Sequence, residues 1–185
     1  MPRTGRNTLS GVILPASFYA RPTLRVARSL LGKYLVRERR GSLRAGQIIE
    51  VEAYLGLEDR ASHASHGRTP RTDVMFGPPG LAYVYLIYGM HHCLNVVTER
   101  LDCPAAILIR AVEQGDGLID GPGRVCRLFG IDRRLNYHDL TRGKALWIED
   151  RGERIQPARI GAFPRIGVDY AGLWAAKPWR FRLTS

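Results

Sequence analysis

Apolar residues fall along this chain in two rhythms. Over residues 22–31, Leu24, Ala27, Leu30 and Leu31 recur at the spacing of one helix face, and Gly32 follows as a stop. Ile13-Leu14-Pro15 leads into that helix through Phe18-Tyr19. Period-two segments come next: residues 34–36 and 47–53 read as strands, and the turn around Arg39-Arg40-Gly41-Ser42 joins them into a hairpin. A second group of strands is expected over residues 81–87, 93–98 and 105–112, with Tyr88-Gly89-Met90 at a hairpin tip. Asp120-Gly121-Pro122-Gly123 opens a helix that runs through Phe129 to Gly130, and the start of such a helix can hold a phosphate. Shorter strands near residues 145–149, 166–168 and 179–183 complete the pattern. The expected fold class is α+β: one compact domain over residues 1–185, a mixed, largely antiparallel β-sheet flanked by a few helices, and a flexible segment at 1–10. Residues 55–80 turn polar and rich in proline and glycine, which predicts a long surface loop of the kind that carries binding function.

Composition narrows the class. At 45% apolar and 24% charged, the 185 residues carry enough hydrophobic material for a core, which excludes a disordered chain. Lys plus Arg is 28 against 17 Asp plus Glu, a net charge of +11 that favours a polyanionic partner, with nucleic acid first. All but Lys33, Lys144 and Lys177 of these cations are arginines, a bias that a GC-rich genome produces without any functional cause, so charge alone leaves the partner open. Cys93, Cys103 and Cys126 form no closely spaced pair, which points away from a disulfide framework and toward a reducing cytoplasm, at the nucleoid if the source is a bacterium. No apolar run approaches a membrane span of about 20 residues, and residues 1–10 lack the apolar stretch of a secretory signal.

Glu50-Val51-Glu52-Ala53-Tyr54 closes an apolar strand, and alternation places Glu50, Glu52 and Tyr54 on one face. A carboxylate at such a strand end, beside apolar surroundings, can serve as a general base; the competing reading is a pair of strand-edge charges held by arginines. His63, His66, His91 and His92 raise the question of a metal, yet neither paired cysteines nor two helical histidines around a glutamate are present, so no metal site and no cofactor are expected. A phosphate-binding loop ending in Lys-Ser/Thr and a nucleophile elbow are both missing, which weighs against nucleotide hydrolysis and acyl transfer. Tyr83, Tyr85 and Tyr88 form the densest aromatic cluster. Aromatic faces can sandwich an extruded base and a bulky turn residue can replace it in the duplex, while plain core packing is the competing reading, favoured for Tyr83.

Several motifs together are more specific than any one. Ile49-Glu50-Val51-Glu52-Ala53-Tyr54-Leu55-Gly56, Asp59 with Ala61-Ser62-His63, Thr69-Pro70-Arg71, Met75-Phe76, Tyr83-Val84-Tyr85-Leu86-Ile87-Tyr88-Gly89-Met90, Cys93-Leu94-Asn95-Val96 and Leu108-Ile109-Arg110-Ala111-Val112-Glu113 follow one another in that order. They continue through Gly121-Pro122-Gly123, Asn136-Tyr137-His138-Asp139-Leu140, Arg159-Ile160-Gly161 or its near repeat Arg165-Ile166-Gly167, and the stretch from Trp174 to Arg182. Over nearly its whole length the chain thereby resembles the alkyladenine (3-methyladenine) DNA glycosylase family. The resemblance implies an enzyme that flips a damaged purine out of double-stranded DNA and hydrolyses its N-glycosidic bond; because the three lysines lie outside these motifs, and Pro2 would offer an amine only if Met1 were removed, a monofunctional enzyme is expected over one with lyase activity. By position, Glu52 matches the catalytic glutamate and Arg110 the arginine that helps hold the attacking water. Tyr54 matches one base platform, His63 and Tyr85 the opposite wall, and Asn95 the residue that crowds the 2-amino group of guanine. Tyr88 matches the side chain wedged into the duplex, with Met90 beside it. The implied partner is lesion-bearing duplex DNA, with 3-methyladenine, 7-methylguanine, hypoxanthine and etheno-adenine as substrates, no membrane, and a monomer. Gln114 to Ile119 is shorter than the corresponding insertion in longer members, which removes DNA contacts made there. Two other readings are a non-catalytic damage-binding module with the same aromatic surface, and a metal-dependent nuclease built on the histidines.

Overall fold

Two-residue alternation across neighbouring strands sorts the side chains of this protein into a stabilising face and a chemical face. The computed structural model describes residues 11–115 and 117–184, so the expected flexibility of residues 1–10 lies outside the described residues. The strands are β1 (Val12–Ile13), β2 (Tyr34–Arg39), β3 (Ser42–Leu55), β4 (Ala82–Ile87), β5 (His91–Val97), β6 (Ala105–Gln114), β7 (Gly117–Asp120), β8 (Leu146–Asp150), β9 (Ile160–Phe163) and β10 (Arg180–Leu183). They form one sheet ordered β1-β8-β2-β3-β6-β5-β4, with β7 on β6 and with β10 joining β3 to β9. The helices are α1 (Ala16–Tyr19), α2 (Thr23–Leu30) and α3 (Pro122–Phe129). The fold is α+β as expected, and every strand pair among the described residues is antiparallel.

One face of the sheet carries Val51, Ala53, Val84, Leu94, Val96, Ile107 and Ile109 into the main core, where Val26, Ala27 and Leu30 of α2 and Val125, Cys126 and Phe129 of α3 meet them. Both helices therefore lie on the side of the sheet away from its charged residues. Each helix stops where its sequence changes: α3 ends at Gly130, whose φ of 59° suits the left-handed cap that a side chain resists. The opposite face is covered by irregular chain instead. Residues 56–81 contain two short 3-10 turns, His63–His66 and Asp73–Phe76, and bury Ala64, Val74, Met75 and Phe76 against Tyr83, Val97 and Ala106. The expected surface loop is thus half core: its apolar residues are few, but they cover a sheet face that would otherwise be wet.

The strand expected near residues 166–168 is not there; the extended segment before β10 is Ile160–Phe163. Arg165 is drawn inward, Gly167 takes a φ of +73°, and the Ile166 N–H serves a side chain on β3 instead of a neighbouring strand. The segment cannot be both a strand and the donor for that side chain. β1, α1 and β7 had no distinct periodic signature, because two to four residues are too few to show one.

Candidate active site

Two compensating bulges in the β3–β6 ladder set up the chemistry. Ile48 pairs with Val112, Glu50 with Ala111 and Val51 with Ile109, so Ile49 on one strand and Arg110 on the other are left out of the ladder. A bulge frees a side chain from regular alternation, and here it turns Arg110 between the two glutamates. Its Nε lies 3.2 Å from Glu50 Oε1 and its Nη1 3.5 Å from Glu52 Oε1. Glu50 is also bound by Arg180 Nη1 at 3.2 Å and Arg182 Nη1 at 2.8 Å. It is the arginine-held charge of the competing sequence reading, and three cations leave it little to offer a ligand.

Glu52 is held differently. It is fully buried, and its Oε1 accepts the Ile166 backbone N–H at 2.8 Å while its Oε2 accepts the Tyr54 hydroxyl at 2.8 Å. Burial, followed by the nearby Glu52 charge, raises the Tyr54 phenol well above its ordinary range. Tyr54 therefore remains a donor at neutral pH and cannot compete as a base. Fixed donors around a buried carboxylate keep it aimed without reorganisation.

The rest of the sheet face converges on Glu52. Tyr83 pairs with Asn95, Tyr85 with Cys93, and Asn95 with Leu108, which brings these side chains to the same side as Arg110, Glu52 and Tyr54. All six residues expected in a base pocket (Glu52, Tyr54, His63, Tyr85, Asn95 and Arg110) line one cavity of about 150 Å³. The Asn95 amide is pinned by donating to the Tyr83 carbonyl at 3.2 Å. His63 meets Tyr85 edge-on, their ring centroids 4.7 Å apart. Burial also raises the Tyr85 phenol, with the Cys93 thiol adding to the effect, so both tyrosines stay neutral.

His63 is tied at both nitrogens. Arg71 can only donate, so Nε2, 3.4 Å from its Nη2, accepts, and the proton of the neutral ring sits on Nδ1, 2.9 Å from the Tyr83 hydroxyl. Burial first, then the Arg71 and His66 charges, push its pKa down from 6.5 to about 4. A histidine depressed by folding is protonated in the unfolded chain before it is protonated in the native one. Its contribution is complete above its ordinary value of 6.5 and is lost as pH falls toward about 4. His63→Gln is therefore expected to lose less thermal stability than the wild type between about pH 7 and about pH 4.5, measured by melting at both pH values. Equal losses in the two proteins would show that His63 is not an acid-sensitive group of the fold.

Tyr88 and Met90 stand outside the cavity, at the tip between β4 and β5, where they are 85% and 70% exposed. Tyr88 and Gly89 take φ values of 52° and 69°, the left-handed central pair of a tight turn closed by the Met90 N–H donating to the Ile87 carbonyl at 3.2 Å. Beside the tip, a groove of about 430 Å³ is lined by Tyr88, His91 and, from α3, Arg124 in its first turn and Arg127 in its last. Among the described residues no three His, Cys, Asp or Glu side chains gather as metal ligands, and no helix is long and apolar enough to cross a membrane.

Residues with no assigned role also enter the site. Arg71 stacks over the Tyr85 ring at 5.1 Å, and Cys93 forms part of the floor. Of the two candidate Arg-Ile-Gly repeats, the second supplies both the buried Arg165 and the N–H that reaches Glu52, while Arg159 is exposed before β9. Charge next to apolar residues in a repeated tripeptide was the available signal, and it could not tell which copy faced inward.

The chain is similar to known proteins over nearly its whole length. The family model described as methylpurine-DNA glycosylase (MPG) matches residues 17–185. A Myxococcus xanthus protein named "Putative 3-methyladenine DNA glycosylase" is 54% identical over 172 residues, covering 90% of this chain and 88% of its own length. Proteins of the same name from Anaeromyxobacter dehalogenans and Methanocella arvoryzae are 53% and 50% identical, covering 92% and 91% of this chain and 81% and 91% of theirs.

Proposed function

The chain belongs to the methylpurine-DNA glycosylase family and is a DNA glycosylase; from that premise we propose that Glu52 is its catalytic base and that the cavity around it receives a damaged purine flipped from duplex DNA. The observation that carries this reading is the convergence of the buried Glu52 carboxylate and the rings of Tyr54, His63 and Tyr85, from three separate stretches of chain, on one cavity.

The chemistry follows from the parts. Eversion costs a few kcal/mol of pairing and stacking, and stacking on aromatic rings returns about 1–3 kcal/mol per base. Tyr54 supplies one face, and His63 with Tyr85 the other. An alkylated purine is cationic and gains further attraction from the neutral phenol rings, more so out of water. Guanine has no such charge, and its 2-amino group meets Asn95, whose amide is held by its hydrogen bond to the Tyr83 carbonyl. As the glycosidic bond lengthens, its electrons leave with the base, quenching an alkylated purine's charge, and positive charge builds on the sugar. Glu52 stabilises that charge and takes a proton from the water that adds to the anomeric carbon, while Arg110 orients the water. A Schiff-base route would need an amine, and among the described residues no lysine lines the cavity, which supports simple hydrolysis. The reading extends to 3-methyladenine, 7-methylguanine, hypoxanthine and etheno-adenine as substrates, and to a monomer on duplex DNA.

A panel of duplexes, each with one of these lesions or an undamaged purine, assayed for free base, tests the reading. Release from the alkylated duplexes with none from guanine is expected; equal release from guanine and its methylated form would overturn the pocket's selectivity. In the same assay Tyr88→Ala is expected to weaken lesion capture in duplex by about 10-fold, with a smaller effect on single-stranded lesions, where nothing has to be extruded. Equal losses on the two substrates would remove the wedge role.

A further inference from the structure

Arg165 and Asp59 are the most deeply buried ion pair of the described residues, with both side chains wholly inaccessible, and the chemistry above uses neither. Arg165 Nη1 donates to Asp59 Oδ2 at 2.6 Å and Nη2 to Oδ1 at 2.8 Å. The same two nitrogens also donate to the Ala53 carbonyl at 2.9 Å and the Trp174 carbonyl at 3.1 Å. Asp59 in turn accepts the Leu55 and Ala61 N–H groups, each at 3.1 Å. The guanidinium carbon lies 4.8 Å from the centre of the Tyr54 ring and 5.0 Å from that of Trp179.

Three pieces of chain meet at this one group: the end of β3 that bears Glu52 and Tyr54, the loop that leads to His63, and the C-terminal segment. The next residue after Arg165 is the one whose N–H binds Glu52. We infer that Arg165 is the positioning residue of the pocket, holding the Tyr54 ring from behind and fixing the backbone from which Ile166 aims Glu52. This inference rests on the proposed catalytic role of Glu52. Only arginine meets the demands of the position. Its planar fork grips a carboxylate with two parallel bonds, leaves hydrogens for two carbonyls, and lies flat against aromatic rings. Lysine keeps the charge but has neither the fork nor the plane.

The test separates rate from folding. Functional sites are titrated with a duplex carrying an abasic-site analogue, which offers no base to stack, and single-turnover release from a methylated-purine duplex is then measured per titrated site. For Arg165→Lys the rate per site is expected to fall by about 10- to 100-fold, since small misplacements of a reacting group have effects of that size. Affinity of each site for the abasic analogue should change by less than about 2-fold, because the analogue does not use the Tyr54 platform. A purely structural role would lower the number of sites and leave the rate per site at the wild-type value, and that result overturns the inference. Ile166→Pro gives a second route should Arg165→Lys not fold, because it deletes one N–H at a half-exposed residue and keeps both side chains of the buried pair. Its rate per site is expected to fall in the same way, and a wild-type rate overturns the Ile166 arm. Inactive Glu52→Gln together with wild-type rates in both variants would remove this inference and leave the catalytic reading of Glu52 standing. Wild-type release by Glu52→Gln would remove the catalytic reading and this inference with it.

Discussion

Glu52→Gln is expected to bind lesion-bearing duplex with close to wild-type affinity and to release free base about 10³-fold more slowly, or worse. The substitution preserves shape. Its amide oxygen still accepts the Ile166 N–H, and its NH₂ can donate to the Tyr54 oxygen in place of the hydrogen bond now running the other way. What disappears is the negative charge and the ability to take a proton. Proton transfer by a positioned side chain contributes about 10²–10⁴-fold and electrostatic stabilisation of a developing charge about 10²–10³-fold. Both are lost together, and the affinity terms, which lie in the aromatic walls and the basic surface, are not. Binding measured against free-base release in one preparation separates the two. A merely damage-binding surface would be indifferent to the change, so wild-type release would discard Glu52 as the base.

The second large effect is on stability. Asp59→Ala is expected to destabilise the protein by about 3–5 kcal/mol, because it strands the Arg165 guanidinium, fully buried, without its counter-charge. At about 2–4 °C per kcal/mol for a domain of this size, that is a fall of about 6–20 °C in melting temperature. Asp132 and Arg134 make a useful comparison, with an N···O distance of 2.7 Å against 2.6 Å in the buried pair, but Arg134 is 83% exposed. The hydrogen bonds from Arg134 hold the Asp132 carboxyl down at about 2, yet the surrounding water screens the pair. Asp132→Ala should cost about 1 kcal/mol, most of it for the lost cap on the Arg134 N–H. Similar contact lengths thus predict very different losses, and burial decides which one applies. Denaturant unfolding of the two variants side by side checks this; equal destabilisation would show that the Asp59 pair is not buried in solution.

Much of this was legible along the chain. The helix before Gly32, the hairpin at Tyr88 and the helix between Gly121 and Gly130 are local events, set by spacing, turn residues and caps within about ten positions, and they stand where the pattern puts them. Alternation placed Glu52 with Tyr54, and Tyr83 with Tyr85, on shared faces, because a strand's period of two holds whatever packs against it. Residues 166–168 went the other way: their apolar character reads as a strand, but a buried arginine and a glycine of positive φ bend them out of the sheet toward Glu52.

Short-range periodicity and side-chain chemistry thus set the α+β class, the order of most elements and the candidate residues that come to share one cavity. Long-range packing settled how Glu50 is taken up by three arginines while Glu52 faces the cavity, which Arg-Ile-Gly copy is buried, and that the polar loop closes over a second small core. Those outcomes depend on two compensating bulges and on a contact between Asp59 and Arg165, 106 positions apart. Burial fixes such contacts, because a charge sealed from water must find its partner wherever the fold brings one, and no pattern of neighbouring residues encodes that distance.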